Sequence, residues 1–195
     1  LIKRSRLVAV LCRTDLGEGV SGARVILEDT CGNVAADFIS RGDGPSYVYL
    51  YPGLYRVRVV YWGVCVYSGY VEVDGSREVA ITCRVHKLTI LVRERYTGRP
   101  LANFRLTLRH LETGRQVELR TDESGAAIAR AVPGGSYEVR YLGRRLLVNV
   151  TESRVVVIEV APSLTWAVPY MLVLAAPLAA YLLRKLASGR RRGLG

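Results

Sequence analysis

The stretch Phe104-Arg105-Leu106-Thr107-Leu108-Arg109 alternates apolar and polar side chains. Successive side chains of a β-strand point to opposite faces, so this pattern predicts a strand with one buried face. Glycines and a proline interrupt the surrounding chain at short intervals, as turns between strands require. The same pattern predicts seven strands here, near residues 87–94, 103–109, 115–120, 126–131, 136–142, 145–150 and 154–160. Seven short strands with frequent turns are typical of a β-sandwich.

An earlier copy of this pattern occupies the N-terminal part of the chain. Three segments recur 81 positions later: Val20–Leu27 as Leu101–Leu108, Pro52-Gly53 as Pro133-Gly134, and Leu7–Val10 as Leu88–Leu91. Because a fixed offset between like segments marks duplicated structural units, the repeat predicts two tandem domains. We place the first domain at residues 1–84 and the second at residues 85–160.

Two turn motifs of the second copy carry a family resemblance. Thr121-Asp122-Glu123-Ser124-Gly125 and Val132-Pro133-Gly134-Gly135-Ser136-Tyr137-Glu138-Val139 follow the pattern T-D-x-x-G … P-G-x-Y-x-V, with one extra glycine. The first copy keeps Pro52-Gly53-Leu54-Tyr55-Arg56-Val57 and replaces the first turn with Ser40-Arg41-Gly42-Asp43-Gly44. Over residues 5–160 the chain resembles the carboxypeptidase-regulatory-like, transthyretin-like β-sandwich superfamily. The resemblance implies two seven-stranded, Ig-like sandwiches that serve as spacers, adhesins or accessory domains.

The motif residues have structural roles that follow from their chemistry. Asp122 can accept backbone N–H groups of its own turn, and Gly125 can take a positive φ. In the Pro133-Gly134 turn, proline presets one dihedral angle and Gly134 supplies the other. The rings of Tyr55 and Tyr137 should enter the core, with each hydroxyl bonding loop backbone as in a tyrosine corner. We expect these residues to stabilise the fold.

The residues from Ala161 to Leu183 form a run of 23 without a charge. As a helix rising about 1.5 Å per residue, this run spans roughly 35 Å, enough to cross a bilayer. Five cations follow it: Arg184, Lys185, Arg190, Arg191 and Arg192. Because such cations stay cytoplasmic, we predict a transmembrane helix at 161–185, a cytoplasmic tail at 186–195 and extracellular sandwiches. The alternatives are a buried C-terminal core helix and a tail-anchored protein with its sandwiches in the cytosol.

The predicted membrane anchor indicates which loops of the two sandwiches face the bilayer and which face away from it. Loops at the end of the seventh strand of the second copy should face the bilayer, where their arginines would meet anionic lipid. These arginines are Arg95, Arg99, Arg144 and Arg145. At the opposite end, a protein partner should bind the first copy through the loops near Glu28–Gly32, Tyr51–Gly53 and Asp74–Ser76.

The predicted helix itself carries a stripe of small residues. Ala175 with Ala179, and Ala176 with Ala180, form small-x-x-x-small pairs that permit close approach of a second helix. We therefore also expect other membrane or envelope proteins to bind through the helix.

All four cysteines, Cys12, Cys31, Cys65 and Cys83, lie in the first copy. Counting hairpins puts the ends of the first and seventh strands at one end of the sandwich, and transthyretin-like sandwiches pair those two strands. We therefore predict a Cys12–Cys83 disulfide, with Cys65 as the rival partner and Cys31 free.

Asn149-Val150-Thr151 is a glycosylation sequon, which predicts modification of Asn149 if this part of the chain is outside the cell.

No pattern of a catalytic, cofactor or metal site emerges. His86 and His110 are separated by 24 residues without an H-E-x-x-H context, and the chain has no C-x-x-C pair. The net charge is +11, and removing the five terminal cations leaves +6. This charge is interleaved with acidic residues and lacks an aromatic stacking face, which disfavours nucleic acid as a partner.

The sequence predicts a membrane-anchored cell-surface protein that is structural or adhesive, without enzymatic activity, metal or cofactor. Its expected partners are the lipid bilayer and other proteins of a membrane or envelope assembly. The alternative is the C-terminal accessory region of a larger surface peptidase or transporter-linked enzyme. Arg outnumbers Lys 25 to 3, which is typical of a hyperthermophilic, archaeal source or of a GC-rich genome.

Overall fold

The computed structural model describes residues 5–74 and 78–161, which form fourteen β-strands. The first copy supplies β1 (Arg6–Arg13), β2 (Arg24–Glu28), β3 (Val34–Ile39), β4 (Ser46–Leu50), β5 (Gly53–Tyr61), β6 (Val64–Val73) and β7 (Glu78–Thr82). The second copy supplies β8 (Val85–Glu94), β9 (Arg105–His110), β10 (Gln116–Arg120), β11 (Ala126–Pro133), β12 (Gly135–Tyr141), β13 (Arg144–Val150) and β14 (Arg154–Val160). Within these two ranges no helix could cross a membrane. The predicted span lies outside the described residues from position 162 onward.

Each copy folds into a three-stranded and a four-stranded sheet. The strand orders are β4-β1-β7 and β3-β2-β5-β6 in the first copy, and β11-β8-β14 and β10-β9-β12-β13 in the second. The two copies therefore share one topology, strand for strand. In each, the first and seventh strands are parallel neighbours, whereas the other pairs are antiparallel. Within the described residues, the prediction of two all-β sandwich units is confirmed.

Each sandwich has its own apolar core, built from the inward faces of its two sheets. The inward side chains of the first strands are Val8, Val10 and Cys12 in β1 and Leu88, Ile90 and Val92 in β8. Each buried residue of β1 corresponds to the buried residue of β8 that lies 80 positions later in the chain. The buried pair Val25 and Leu27, by contrast, corresponds to Leu106 and Leu108, which lie 81 positions later. The predicted alignment of Leu7–Val10 with Leu88–Leu91 is therefore wrong by one residue. Shifting the alignment of a strand by one residue exchanges its buried and exposed faces. The rise of the offset from 80 to 81 shows that the second copy has one additional residue between β8 and β9.

The turn motifs form the contacts predicted for them. The Tyr55 hydroxyl donates to the Tyr51 carbonyl at 2.7 Å, and the Tyr137 hydroxyl donates to the Pro133 carbonyl at 2.6 Å. Both rings are buried, so each sandwich has a tyrosine corner. One detail differs from the prediction: in the second Pro-Gly turn the residue with a positive φ is Gly135 (154°), where Gly134 was expected.

The turn before β11 is also formed as predicted. Asp122 Oδ1 accepts the N–H groups of Ser124 at 2.9 Å and Ala126 at 3.0 Å, and Gly125 has a φ of 74°. The Ser124 hydroxyl and the Ala126 N–H lower the pKa of Asp122 below its ordinary value. The carboxylate thus holds its own turn in place.

Candidate functional site

The two sandwiches are joined through Asp15, in the loop after β1. Its Oδ2 atom accepts the Nδ1–H of His86 at 2.8 Å and the backbone N–H of Ser153 at 2.9 Å. Its Oδ1 atom accepts the Ser153 hydroxyl at 2.8 Å. Asp15 belongs to the first copy and the other two residues to the second, so we call the three residues the junction latch. The Asp15 N–H also donates to the carbonyl of Val85 at 3.2 Å.

Neighbouring groups keep Ser153 as a hydrogen-bond donor and Asp15 as an ionised acceptor. The Lys87 N–H donates to Ser153 Oγ at 2.8 Å, so this hydroxyl accepts one hydrogen bond and donates another. Burial raises the pKa of Asp15, but the hydrogen bonds from His86 and Ser153 outweigh it and leave the pKa below its ordinary value. Asp15 is therefore ionised at neutral pH, and a carboxylate forms stronger hydrogen bonds than a neutral acceptor.

The latch contains serine, histidine and aspartate but lacks the order of a catalytic triad. In a triad the histidine accepts the proton of the serine hydroxyl, and the aspartate orients the histidine. Here the Ser153 hydroxyl donates to Asp15 instead, and a hydroxyl without a base is a weak nucleophile. The geometry suits a structural crosslink between two domains.

Replacing Asp15 with asparagine is expected to destabilise the protein at pH 7. Asparagine has one acceptor oxygen in place of a charged pair, and each lost hydrogen bond costs about 1 kcal/mol. Asp15 has a lowered folded-state pKa, so its contribution is present above its unfolded pKa of about 3.9 and is lost as pH falls through the folded value. Chemical denaturation should therefore show a clear difference between Asp15→Asn and wild type at pH 7, and this difference should shrink as the pH falls below about 3.9. Asp43→Asn, at an exposed turn of the first copy, is the matched control. Equal stability of Asp15→Asn and wild type at pH 7 contradicts the role of the latch.

A second contact across the junction is made by the turn between β5 and β6. Trp62 has a φ of 55°, its ring packs against the core of the second sandwich, and the Arg115 guanidinium lies 4.9 Å from the ring centroid. This distance suits a cation–π interaction. The Tyr61 hydroxyl donates to the Ala131 carbonyl at 3.4 Å. The equivalent turn of the second copy carries Leu142, which is 71% exposed.

A cleft of about 420 Å³ lies beside the latch, between the two copies. Its polar lining includes Cys65 and Arg84 from the first copy and His86, Glu112 and Asn149 from the second. Across residues 5–74 and 78–161, no three His, Cys, Asp or Glu side chains are grouped to hold a metal ion.

The other histidine of the chain, His110, is enclosed in the second sandwich. Its side chain is fully buried, Nδ1 lies 2.9 Å from the Thr113 hydroxyl, and the ring packs edge-on against Tyr137 with centroids 4.9 Å apart. A Cβ atom on Gly135 would lie 2.6 Å from His110 Nε2. The extra glycine of the second copy is thus the residue that makes room for this ring.

The cysteines fall into two environments. Cys12 and Cys83 are each 2% exposed, and their thiols are in hydrogen-bond contact. This contact and burial raise the pKa of the Cys83 thiol. Cys65 is exposed, and its thiol faces the Tyr67 carbonyl at 3.3 Å, while Cys31 is exposed in the β2–β3 turn. All four are free thiols in this structure, so the Cys12–Cys83 bond stays a prediction, and Cys83 lies better placed for it than Cys65.

The remaining predicted residues are exposed. Asn149 lies in the edge strand β13, paired with Ser136 of β12. The N–H of Arg95 donates to the Val160 carbonyl at 2.9 Å, so Arg95 is at the end where the chain leaves β14. Arg99 and Arg144 are also exposed, and Arg145 Nε lies 3.4 Å from Glu138 Oε1. Glycosylation and lipid contact stay predictions. The helix-packing alanines at 175, 176, 179 and 180 lie outside the described residues.

Sequence reasoning missed the latch and the Trp62 contact. Asp15 and Ser153 are 138 residues apart in the chain and have no local motif. A usable signal was the Trp62-Gly63 turn itself, since a tryptophan in an exposed hairpin turn indicates a docking site.

No protein-family model and no curated protein match the chain. Solved structures that resemble it include the Bacillus anthracis TIE protein, 16% identical with a TM-score of 0.36 over 81% of this chain, and a streptococcal ancillary pilin, 14% identical with a TM-score of 0.35 over 80%. The chain spans 34% of the first and 62% of the second. The shaft pilin spaA from Lactobacillus rhamnosus GG is 10% identical with a TM-score of 0.38, over 82% of this chain and 98% of that one. At these values the likeness assigns neither a family nor a function.

Proposed function

We propose that the chain is a non-catalytic, membrane-anchored surface protein whose two sandwiches form a rigid spacer or adhesive stalk. The observation that carries this proposal is the junction latch. Two residues separate β7 (ending at Thr82) from β8 (starting at Val85), and the latch and Trp62 contacts hold the domains on both sides of this short link. Domains joined by a long linker without such contacts reorient freely, whereas these two are tied into one unit.

The transthyretin-like, carboxypeptidase-regulatory-like family is part of the same proposal. Its support is the T-D-x-x-G turn, the tyrosine corners at Tyr55 and Tyr137, and the parallel pairing of first and last strands.

Anchoring rests on the uncharged run from Ala161 to Leu183 and on the cations after it. We propose that the helix spans the cell membrane once, with the sandwiches outside and the C-terminus in the cytoplasm. Envelope proteins would then bind the outward loops of the first copy or the helix, while the arginines near Val160 face the lipid headgroups.

Cell fractionation with protease treatment tests this topology. We expect the full chain to stay with membranes after alkaline carbonate extraction, and protease added to intact cells should digest the sandwiches and spare a C-terminal epitope tag. The double variant Leu172→Arg, Leu174→Arg should move to the soluble fraction, because each mid-span arginine costs about 2.5–3.5 kcal/mol. The matched control makes the same double change in the tail, as Leu186→Arg, Leu194→Arg. A wild-type chain in the carbonate supernatant, or intact sandwiches after proteolysis, overturns the proposal.

A further inference from the structure

Both sandwiches have the same two loops at the end where the chain leaves them. In the first copy these are the loop after β1, which carries Asp15, and the turn between β5 and β6, which carries Trp62. Both loops contact the next domain of the chain. In the second copy the matching loops follow β8 and join β12 to β13. What these second loops contact can therefore be asked by comparing the two pairs.

The loops after β1 and β8 are held in the same way. The N–H of Asp15 donates to the carbonyl of Val85, just beyond β7, and the N–H of Arg95 donates to the carbonyl of Val160, the last residue of β14. Arg95 therefore has the place in the second copy that Asp15 has in the junction latch. A carboxylate that accepts hydrogen bonds from the next domain is replaced by a guanidinium, which favours an anionic partner.

The two hairpin turns share one backbone shape. Trp62 and Leu142 have φ values of 55° and 45°, and a glycine with positive φ follows each of them. Trp62 packs against the core of the second sandwich, whereas Leu142 is 71% exposed. A positive φ is uncommon for a bulky residue, and turns of this kind favour small polar residues and glycine. The turn itself does not require a leucine, so the exposed side chain is available for an apolar contact outside the sandwich.

A second exposed apolar side chain lies at the same end. Tyr96, next to Arg95 in the loop after β8, is 76% exposed. Because β12 is antiparallel to β9, the turn with Leu142 lies beside the start of β9, to which the loop after β8 leads. We call the loops at residues 95–104, 121–125 and 142–143 the exit end of the second sandwich, because β14 also ends there.

Arginines outnumber carboxylates at the exit end. Its exposed arginines, in the loops or directly beside them, are Arg95, Arg99, Arg105, Arg120, Arg144 and Arg145. Its carboxylates are those of Glu94, Asp122, Glu123 and Glu159. Two of these carboxylates are engaged locally, since Asp122 holds its own turn and Glu94 accepts the hydroxyl of Thr97. Exposed apolar side chains among cations are typical of surfaces that bind anionic membranes.

We propose that the exit end binds the surface of an anionic phospholipid membrane, with the side chains of Leu142 and Tyr96 entering the interfacial layer between the arginines. This inference rests on the proposed anchoring, because the uncharged run begins at Ala161, directly after β14. A span that starts there brings the exit end to the level of the lipid headgroups. Tyrosine is favoured at that level, and guanidinium groups are attracted to the lipid phosphates. The second sandwich would thus stand end-on at the membrane, and the junction latch would pass this orientation to the first.

A fluorescent label that reports the polarity of its surroundings tests this placement in the full chain. Leu142→Cys is labelled with nitrobenzoxadiazole in a chain with Cys31→Ser and Cys65→Ser, whose two remaining cysteines are buried. The chain is reconstituted into nanodiscs of phosphatidylglycerol and phosphatidylcholine. We expect emission at a shorter wavelength and protection from iodide, because the label lies in the interfacial layer. The matched control is Leu147→Cys, 72% exposed on the four-stranded sheet, which should emit as in water.

Arginine substitutions and a neutral lipid test the electrostatic part of the contact. Arg95→Gln and Arg99→Gln should lower the ratio of inserted to free label about fivefold per arginine, the factor that corresponds to about 1 kcal/mol. The matched control is Arg6→Gln with Arg56→Gln, at exposed positions of the first sandwich, and should leave the ratio unchanged. Nanodiscs of phosphatidylcholine alone should also lower the ratio, because they lack the negative surface charge.

The outcomes separate this inference from the proposed anchor. With the chain eluting together with the nanodiscs, a water-like label at position 142 overturns the inference alone. An equal shift at position 147 does so too, because the sandwich would then lie on its sheet. A shift that is unchanged in phosphatidylcholine, or by the loss of Arg95 and Arg99, indicates contact with another protein chain and overturns the inference. A chain that elutes apart from the nanodiscs overturns the anchor and this inference together.

Discussion

Oxidation of Cys12 and Cys83 to a disulfide is expected to raise the free energy of unfolding of the first sandwich by about 4 kcal/mol. The two buried thiols are already in contact, and the Cys83 N–H donates to the Arg13 carbonyl at 2.8 Å. The bond would close a loop of about 70 residues, and its stabilisation comes from restricting the unfolded chain.

The measurement compares denaturation of the first sandwich with and without reductant, together with peptide mass mapping. Cys31 and Cys65 are replaced by serine in every denaturation sample, because these exposed positions change stability by no more than about 0.5 kcal/mol. Adding Cys12→Ala and Cys83→Ala gives a control that should unfold identically under both conditions. Peptide mapping uses the chain with all four cysteines. A transition insensitive to reductant in the sample that keeps Cys12 and Cys83, or mapping of Cys12 to Cys65, rules out the predicted pair.

Replacing Gly135 with alanine is expected to destabilise the second sandwich by about 2–6 kcal/mol, the sum of two costs of about 1–3 kcal/mol each. A φ of 154° is open to glycine and strained for alanine. The added methyl group would also lie 2.6 Å from Nε2 of the buried His110, which is held by Thr113 and Tyr137 and has little room to move.

Gly143→Ala separates these two costs. Gly143 also has a positive φ, of 74°, but a Cβ atom there meets nothing within 4 Å. Thermal unfolding should therefore show a smaller loss for Gly143→Ala, of about 1 kcal/mol. If both variants lose the same stability, steric contact with His110 contributes nothing.

The strands were predictable because their signal is local. Alternation from Phe104 to Arg109 predicted a strand near 103–109, and β9 covers Arg105–His110. The tyrosine corners were predictable for the same reason, since each joins residues four positions apart. Such features depend on neighbouring residues only.

Features that join distant segments were not predictable. The latch brings Asp15 to His86 across 71 residues, and neither Asp15, in the loop after β1, nor His86, in β8, belongs to a local motif. The alignment of Leu7 with Leu88 failed for a related reason, because apolar residues on both faces of β1 hide which face is inward. The role of Gly135 depends on the ring of His110, which lies in a different strand.

The parallel pairing of first and last strands determines how the tandem bears tension. The chain enters β1 at one end of a sandwich and leaves β7 at the other, so a pull on both ends slides these strands past each other. Their hydrogen bonds then resist shear collectively instead of opening one after another. Five paired positions join β1 to β7 and seven join β8 to β14, which makes the first sandwich the weaker element under load. A covalent tie between Cys12 and Cys83 would lie in that path of force.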